Sequence, residues 1–238
     1  MGGRPRSSPV AGITVGIVTL ATSHDLERGN VQHALSYSFP VAYAVAEGVS
    51  VPALMRGDQA ALGPIINAVR RLESLGVDII VGACGSFAHY QKDVAKVAAL
   101  PVCMSILAYV PFLLQLLPRD RSLGIIFARE SAFTDRARDQ CGITDCSRIV
   151  TLGADTLASF QPILDPGLRL DHLALQTDLS ELVIRTRSAH PEIGAWMFQC
   201  SDLPPFARSV SLATRLPVFD MTLLIEHFHM ACTPRSFE

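Results

Sequence analysis

The sequence repeats itself. Shifting the chain by 116 residues lays Cys84 on Cys200, residues 78–83 (DIIVGA) on residues 194–199 (GAWMFQ), and Leu100-Pro101-Val102 on Leu216-Pro217-Val218, with no gap. Upstream, residues 14–18 (TVGIV) fall on residues 122–126 (SLGII) at a shift shorter by eight. Two similar halves are therefore expected. Each carries one cysteine directly after an apolar run and directly before small or polar residues.

The apolar runs read as strands at residues 13–20, 77–83, 100–104, 122–128, 148–152, 194–199 and 216–220. They lack period-two alternation, which implies sheets covered on both faces. Residues 25–58 are irregular, punctuated by Gly29, Asn30, Pro40, Gly48 and Pro52, with one strand expected near 49–54. Helical spacing runs over 60–75, where Leu62, Ile65, Ile66, Val69 and Leu72 share a face and Gly76 ends the run. Further helices are expected at 88–99, 106–117, 134–140, 173–188 and 221–231. Strands alternating with helices give an α/β fold with parallel sheets.

Composition narrows the class. Of 238 residues, 49% are hydrophobic and 18% charged, so the chain builds a core without staples. A net charge of −2 and a pI near 6.4 give no footprint for nucleic acid or a membrane surface. Residues 97–118 carry no charge and are long enough to cross a bilayer, but Pro101 and Pro111 cut them into a short strand and a helix. The opening MGGRPRSSPVAG has no apolar signal core. The six cysteines are thus expected to be reduced thiols and the compartment cytoplasmic.

In parallel α/β sheets, ligands bind outside the carboxyl ends of the strands. Cys84 and Cys200 both follow such ends. Two facing halves would set two thiols across one cleft. Inverting a carbon centre through a carbanion takes two proton carriers of similar kind on opposite faces. A thiol, with its reference pKa near 8.5, serves in either direction when its site tunes it. Gly85 and Ser86 after Cys84, and Ser201 and Asp202 after Cys200, suit a role beside the sulfurs. Either cysteine alone reads as an inert core residue; at matched positions the pair reads as chemistry.

Other chemistries lack support. His227 and His229 stand two apart beside Glu226, and residues so spaced share no helix face, so no metal site is expected. Cys141 and Cys146 are too far apart for a metal-binding pair and read as loop or partly exposed thiols. No G-x-S-x-G elbow and no Gly-rich phosphate motif occurs. Trp196 reads as core.

Residues 83–91 (ACGSFAHYQ) and 199–207 (QCSDLPPFA) resemble the two cysteine motifs of the aspartate/glutamate racemase superfamily, roughly S-C-G-F-x-A-x-x-Q and E-C-T-N-M-P-P-Y-A. Gly29-Asn30, Phe39-Pro40-Val41 with Tyr43, and the closing Leu216-Pro217-Val218-Phe219-Asp220 are similar to other stretches of that family. The resemblance implies two flavodoxin-like parallel-sheet halves related by a pseudo-two-fold, residues 1–117 and 118–220, with 221–238 packing back onto the first and the active site in the cleft between them. It implies cofactor-independent chemistry with Cys84 and Cys200 as the acid/base pair. Thr22, Ser23, Asn30, Gly85, Ser86, Ser201, Asp202 and the loop after Ala128 would hold substrate.

Two departures stand out. Ser86 displaces the family's Phe by one position, and Ser201-Asp202 replaces Thr-Asn. A carboxylate beside a carboxylate substrate is repulsive unless a cation offsets it. Either the substrate carries positive charge near Asp202 or Asp202 is a helix cap facing away. The resulting expectation is an amino-acid racemase or epimerase working alpha to a carboxylate or carbonyl. The alternatives are a decarboxylase, a cis–trans isomerase, or an inactive binding homologue of the same fold. The expected partner is a small amino acid or related carboxylate, with no nucleic acid and no membrane; the apolar segments are compatible with a homodimer.

Overall fold

The computed structural model describes residues 10–22, 26–165 and 167–237. In chain order its elements are β1 (Val15–Thr19), β2 (Val41–Val45), α1 (Val51–Arg56), α2 (Leu62–Leu75), β3 (Ile79–Gly82), α3 (Gln91–Ala95), β4 (Val102–Cys103) and α4 (Val110–Leu116). There follow β5 (Ser122–Phe127), α5 (Asp135–Gln140), β6 (Ile149–Gly153), α6 (Gln161–Leu164), α7 (His172–Ala189), β7 (Ile193–Phe198), α8 (Ala207–Thr214), β8 (Val218–Phe219) and α9 (Met221–Cys232). They build two four-stranded parallel sheets, ordered β2-β1-β3-β4 and β6-β5-β7-β8. The same order in both, with β1 and β5 central, is the repeat made visible.

The correspondence extends to register. Ile17 pairs with Val81 in the first sheet and Ile125 with Met197 in the second. Val15 pairs with Val41, and Leu123 with Ile149. The Ala83 N–H donates to the Val18 carbonyl at 2.8 Å, and the Gln199 N–H donates to Ile126 at 2.9 Å. Ile80 N–H reaches Pro101 at 3.0 Å and Trp196 N–H reaches Pro217 at 2.9 Å. Prolines 101 and 217 lack a donor but still offer a carbonyl to the neighbouring strand, so each sits at the first pairing position of its edge strand.

Both central strands are buried along their whole length, as their unbroken apolar runs require. One continuous core joins the sheets: Val15, Ile17 and Val81 from the first pack in one cluster with Leu123, Ile125 and Met197 from the second. Met221, Leu224 and Ile225 of α9 belong to it, and α9 lies against β1 and β3. Asp220 caps α9 by accepting from the Leu223 N–H at 3.0 Å. Among the described residues, no helix is long and apolar enough to cross a membrane.

Several local expectations are overturned. Residues 51–56 form α1, not a strand. Ser50 accepts from the Ala53 N–H as N-cap, Pro52 occupies the first turn, and Gly57 closes the helix at φ 68°. These are start and stop signals that look like loop punctuation when read singly. The outer strand of the first sheet is instead β2, whose buried positions include the small Ala42 and Ala44. The helix expected at 88–99 begins as a 3-10 turn over Gly85–Tyr90 and ends at Ala95. Helix α8 falls where no helix is expected from the sequence. Cys141 is buried, its thiol directed at the Ala88 carbonyl at 3.8 Å, rather than loop-exposed.

Candidate active site

The carboxyl ends of β1, β3, β5 and β7 open onto one cavity of about 80 Å³. Leu20 follows β1, Cys84 follows β3, Ala128 follows β5 and Cys200 follows β7, and all four line it. A lone water needs roughly 10–15 Å³ of such space, so the cavity suits a small molecule of several heavy atoms. Its apolar wall includes Val51 and Met55 from α1 and Ile163 and Leu164 from α6. The polar wall comes from Thr22, Gln32, Ser86, Gln199, Ser201 and Asp202.

The two cysteine loops touch directly. Gly85 follows Cys84, and a Cβ placed there would stand 2.1 Å from the Gln199 carbonyl oxygen and 2.3 Å from the Gln199 side-chain Cδ. Only glycine permits that approach, so Gly85 is what lets the halves close around the cavity. The first loop is tied down further by His89. Its ring bonds the Ser86 carbonyl at 2.9 Å and the Thr134 hydroxyl, in the other half, at 2.9 Å. Ser105 Oγ donates to the Gly85 carbonyl at 2.8 Å.

The sulfurs share a backbone environment and differ in a side chain. The N–H two residues on, Ser86 for Cys84 and Asp202 for Cys200, lies beside each sulfur and favours its thiolate. Burial pushes both thiols up. Cys84 is pushed to about 11, with Ser86 working against burial and the more distant Asp202 adding to it. Cys200 is driven well above its ordinary value by burial, by the adjacent Asp202 carboxylate and by Cys84. The Cys200 thiol donates to Asp202 Oδ2 at 3.5 Å. A carboxylate receiving a thiol proton favours the thiol, whereas a hydroxyl beside sulfur favours the thiolate. Around the sulfurs the halves thus match in backbone and diverge in charge at Ser86 against Asp202.

Asp202 faces the cavity. Its other oxygen accepts from Asn30 Nδ2 at 2.7 Å. Asn30 is itself fixed: its side-chain oxygen accepts from the Gln32 N–H at 2.7 Å and its carbonyl from the Ser36 hydroxyl at 2.7 Å. The segment is joined to the second cysteine loop by Val31 N–H to the Ser201 carbonyl at 3.4 Å.

The cavity therefore gathers Cys84, Cys200, Thr22, Ser86, Ser201 and Asp202 from the expected set. Asn30 and Gly85 stand behind its wall, acting through Asp202 and through loop packing. Ser23 lies outside the described residues. Sequence reasoning missed Gln32, Gln199 and the apolar contributions of α1 and α6. Gln199 left one signal: the repeat sets it over Ala83, a polar residue ending an apolar strand. The residues of α6 left none in the short matching stretches, but in the fold α6 holds the place of α1: each follows the outer strand β2 or β6 and precedes the long helix of its half.

No protein-family model matches the chain. Among curated proteins it is 28% identical over 217 residues to dimethylsulfoniopropionate lyase 6 of Emiliania huxleyi (strain CCMP1516), covering 87% of this chain and 56% of that protein. It is 27% identical over 225 residues to a dimethylsulfoniopropionate lyase of Durusdinium sp. clade D, covering 90% of this chain and 73% of the relative. The chain thus spans little more than half the length of the first of these. Among solved structures, an aspartate racemase of Picrophilus torridus superposes with a TM-score of 0.60 at 16% identity, covering 96% of each chain. A glutamate racemase of Bacillus anthracis gives 0.58 at 10% identity, covering 93% of this chain and 82% of that one. Unliganded arylmalonate decarboxylase gives 0.56 at 16% identity, covering 91% and 92%. With its paired parallel sheets and its cavity at their carboxyl ends, the chain has the fold of the aspartate/glutamate racemase superfamily.

Proposed function

We propose that this chain is a carbon-acid lyase. It removes a proton alpha to a carboxylate from a small substrate bearing a cationic leaving group, dimethylsulfoniopropionate being the substrate named for its relatives. The observation that carries the reading is the Ser86/Asp202 divergence at otherwise matched cysteines. A two-base racemase gains from similar carriers on both faces. An elimination needs one base and a place for a cation.

Cys84 supplies the base. Its thiolate is stabilised by the Ser86 N–H and hydroxyl. It takes the alpha proton, forming S–H as C–H breaks. The freed pair becomes the carbon–carbon double bond, and the bond from the beta carbon to sulfur breaks with its pair leaving on neutral dimethyl sulfide. Acrylate remains, and Cys84 returns its proton to water. Asp202, held by Asn30, faces the sulfonium and offsets its charge until the bond breaks. Cys200 stays a neutral thiol on Asp202. Met55, Val51, Ile163 and Leu164 enclose the methyl groups and exclude water.

The matched cysteine positions favour a second reading, racemisation of an amino acid whose ammonium faces Asp202. One experiment separates them. Purified protein is incubated in D2O with dimethylsulfoniopropionate and, separately, with a panel of single-enantiomer amino acids. Headspace dimethyl sulfide and acrylate in equal amounts are expected. Deuterium entry with inversion of an amino acid, and no dimethyl sulfide, would replace the lyase with the racemase. Binding without turnover of either class would remove both.

A further inference from the structure

Gln199 is 5% exposed, lines the cavity, and its side-chain Nε2 is buried with no hydrogen-bond partner. A buried amide donor left unmade is costly, and native structures keep one where something else completes it. As placed, Nε2 packs against Gly85 beside Cys84 and has no open surface; a half-turn of the terminal amide, which exchanges nitrogen and oxygen, presents it to the cavity. It sits one residue before Cys200, so it lies between the two sulfurs' loops.

The repeat adds a second observation. Among the residues flanking the cysteines the second half is the more polar: Gln199 stands against Ala83, Ser201 against Gly85 and Asp202 against Ser86. Two of these additions, Gln199 and Asp202, bear on charge recognition. One is a donor with no acceptor; the other is a carboxylate. Together they mark two ends of a small zwitterion. The first half, bearing Cys84, contributes neither.

We infer that Gln199 is the carboxylate-recognition residue of this cavity, its Nε2–H donating to a substrate carboxylate oxygen while Asp202 faces the substrate's cationic end. This deepens the carbon-acid reading above and rests on it. The substrate is thereby held by both charged ends on one half, with its alpha carbon turned toward the other. The same donor meets the oxygen that gains charge as the alpha proton leaves, so its bond strengthens along the reaction. Selectivity follows as well. Amides and esters of the same skeleton present a weaker acceptor and are bound less well.

The test uses two half-ligands, propionate and trimethylsulfonium, titrated calorimetrically into wild type, Gln199→Leu, Gln199→Glu and Asp202→Asn. Wild type is expected to bind both. Gln199→Leu and Gln199→Glu are expected to weaken propionate by at least about tenfold, one charge-assisted hydrogen bond, and to hold trimethylsulfonium unchanged. Asp202→Asn is expected to do the reverse. Retained trimethylsulfonium binding shows that the Gln199 variants are folded. Propionate binding equal to wild type in both Gln199 variants overturns the inference, as does failure of wild type to bind propionate. Loss of both half-ligands in both Gln199 variants also overturns it, since the residue is then structural. Propionate binding through Gln199 without release of dimethyl sulfide from its sulfonium derivative would keep the inference and remove the lyase.

Discussion

At the scale of single residues, the asymmetry between the thiols has a pH consequence. Cys84 is pushed to about 11, so near neutrality it is a thiol and only a small fraction is the base. Deprotonation is the activating step. kcat/KM should therefore climb about tenfold per pH unit through the alkaline range and level off only near Cys84's raised pKa. A profile already flat from pH 7 to 9 would show that Cys84 is not the base in free enzyme. Asp202→Asn removes the carboxylate that raises Cys200, and Cys200 should then alkylate faster with iodoacetamide. Unchanged Cys200 alkylation would contradict the assigned cause. The cysteine pair was readable in the sequence because repetition singled it out. Gln199 left only its polarity at the end of an apolar run, because its role depends on what fails to contact it in the fold.

At the scale of elements, the strand framework was legible wherever apolar runs were long, as in β1, β5 and β7. It failed where side chains were small or signals mixed. β2 hides its buried face in Ala42 and Ala44, and α1 carries proline and glycine at its ends as caps. That misreading mattered for function, since α1 brings Val51 and Met55 to the cavity. The loop after β3 shows how little tolerance the site has. Gly85→Ala places a methyl 2.1 Å from the Gln199 carbonyl oxygen, backbone that cannot rotate aside. The expected outcome is a lower thermal midpoint together with loss of activity, measured by calorimetry and turnover on the same sample. Wild-type stability and activity would contradict the direct contact between the loops.

At the scale of the whole molecule, the halves share one core cluster between the sheets and hold a set of thiols withdrawn from solvent. Cys84, Cys103, Cys141 and Cys200 are all raised by burial above the ordinary thiol range. An unfolded chain ionises these thiols near pH 8.5, while the folded chain still holds their protons. The unfolded state therefore binds fewer protons above that point, and stability falls as pH rises. The stabilisation is fully present below about pH 8.5 and is lost progressively as the pH climbs through the folded values, about 11 for Cys84 and about 12 for Cys103 and Cys141. Denaturant midpoints should decline steadily from pH 8.5 upward; midpoints that stay level to pH 10.5 would contradict burial of these sulfurs. The overall doubling was plain in the sequence. The departure from symmetry, which sets the chemistry, needed the cavity.

The measurement that bears most directly on a single-base elimination compares Cys84→Ser and Cys200→Ser with wild type for dimethyl sulfide release from dimethylsulfoniopropionate. Loss of the base should cost Cys84→Ser roughly 10²–10⁴-fold in kcat while Cys200→Ser stays within about tenfold. Equal loss in the two variants, or a greater loss in Cys200→Ser, would contradict the assignment.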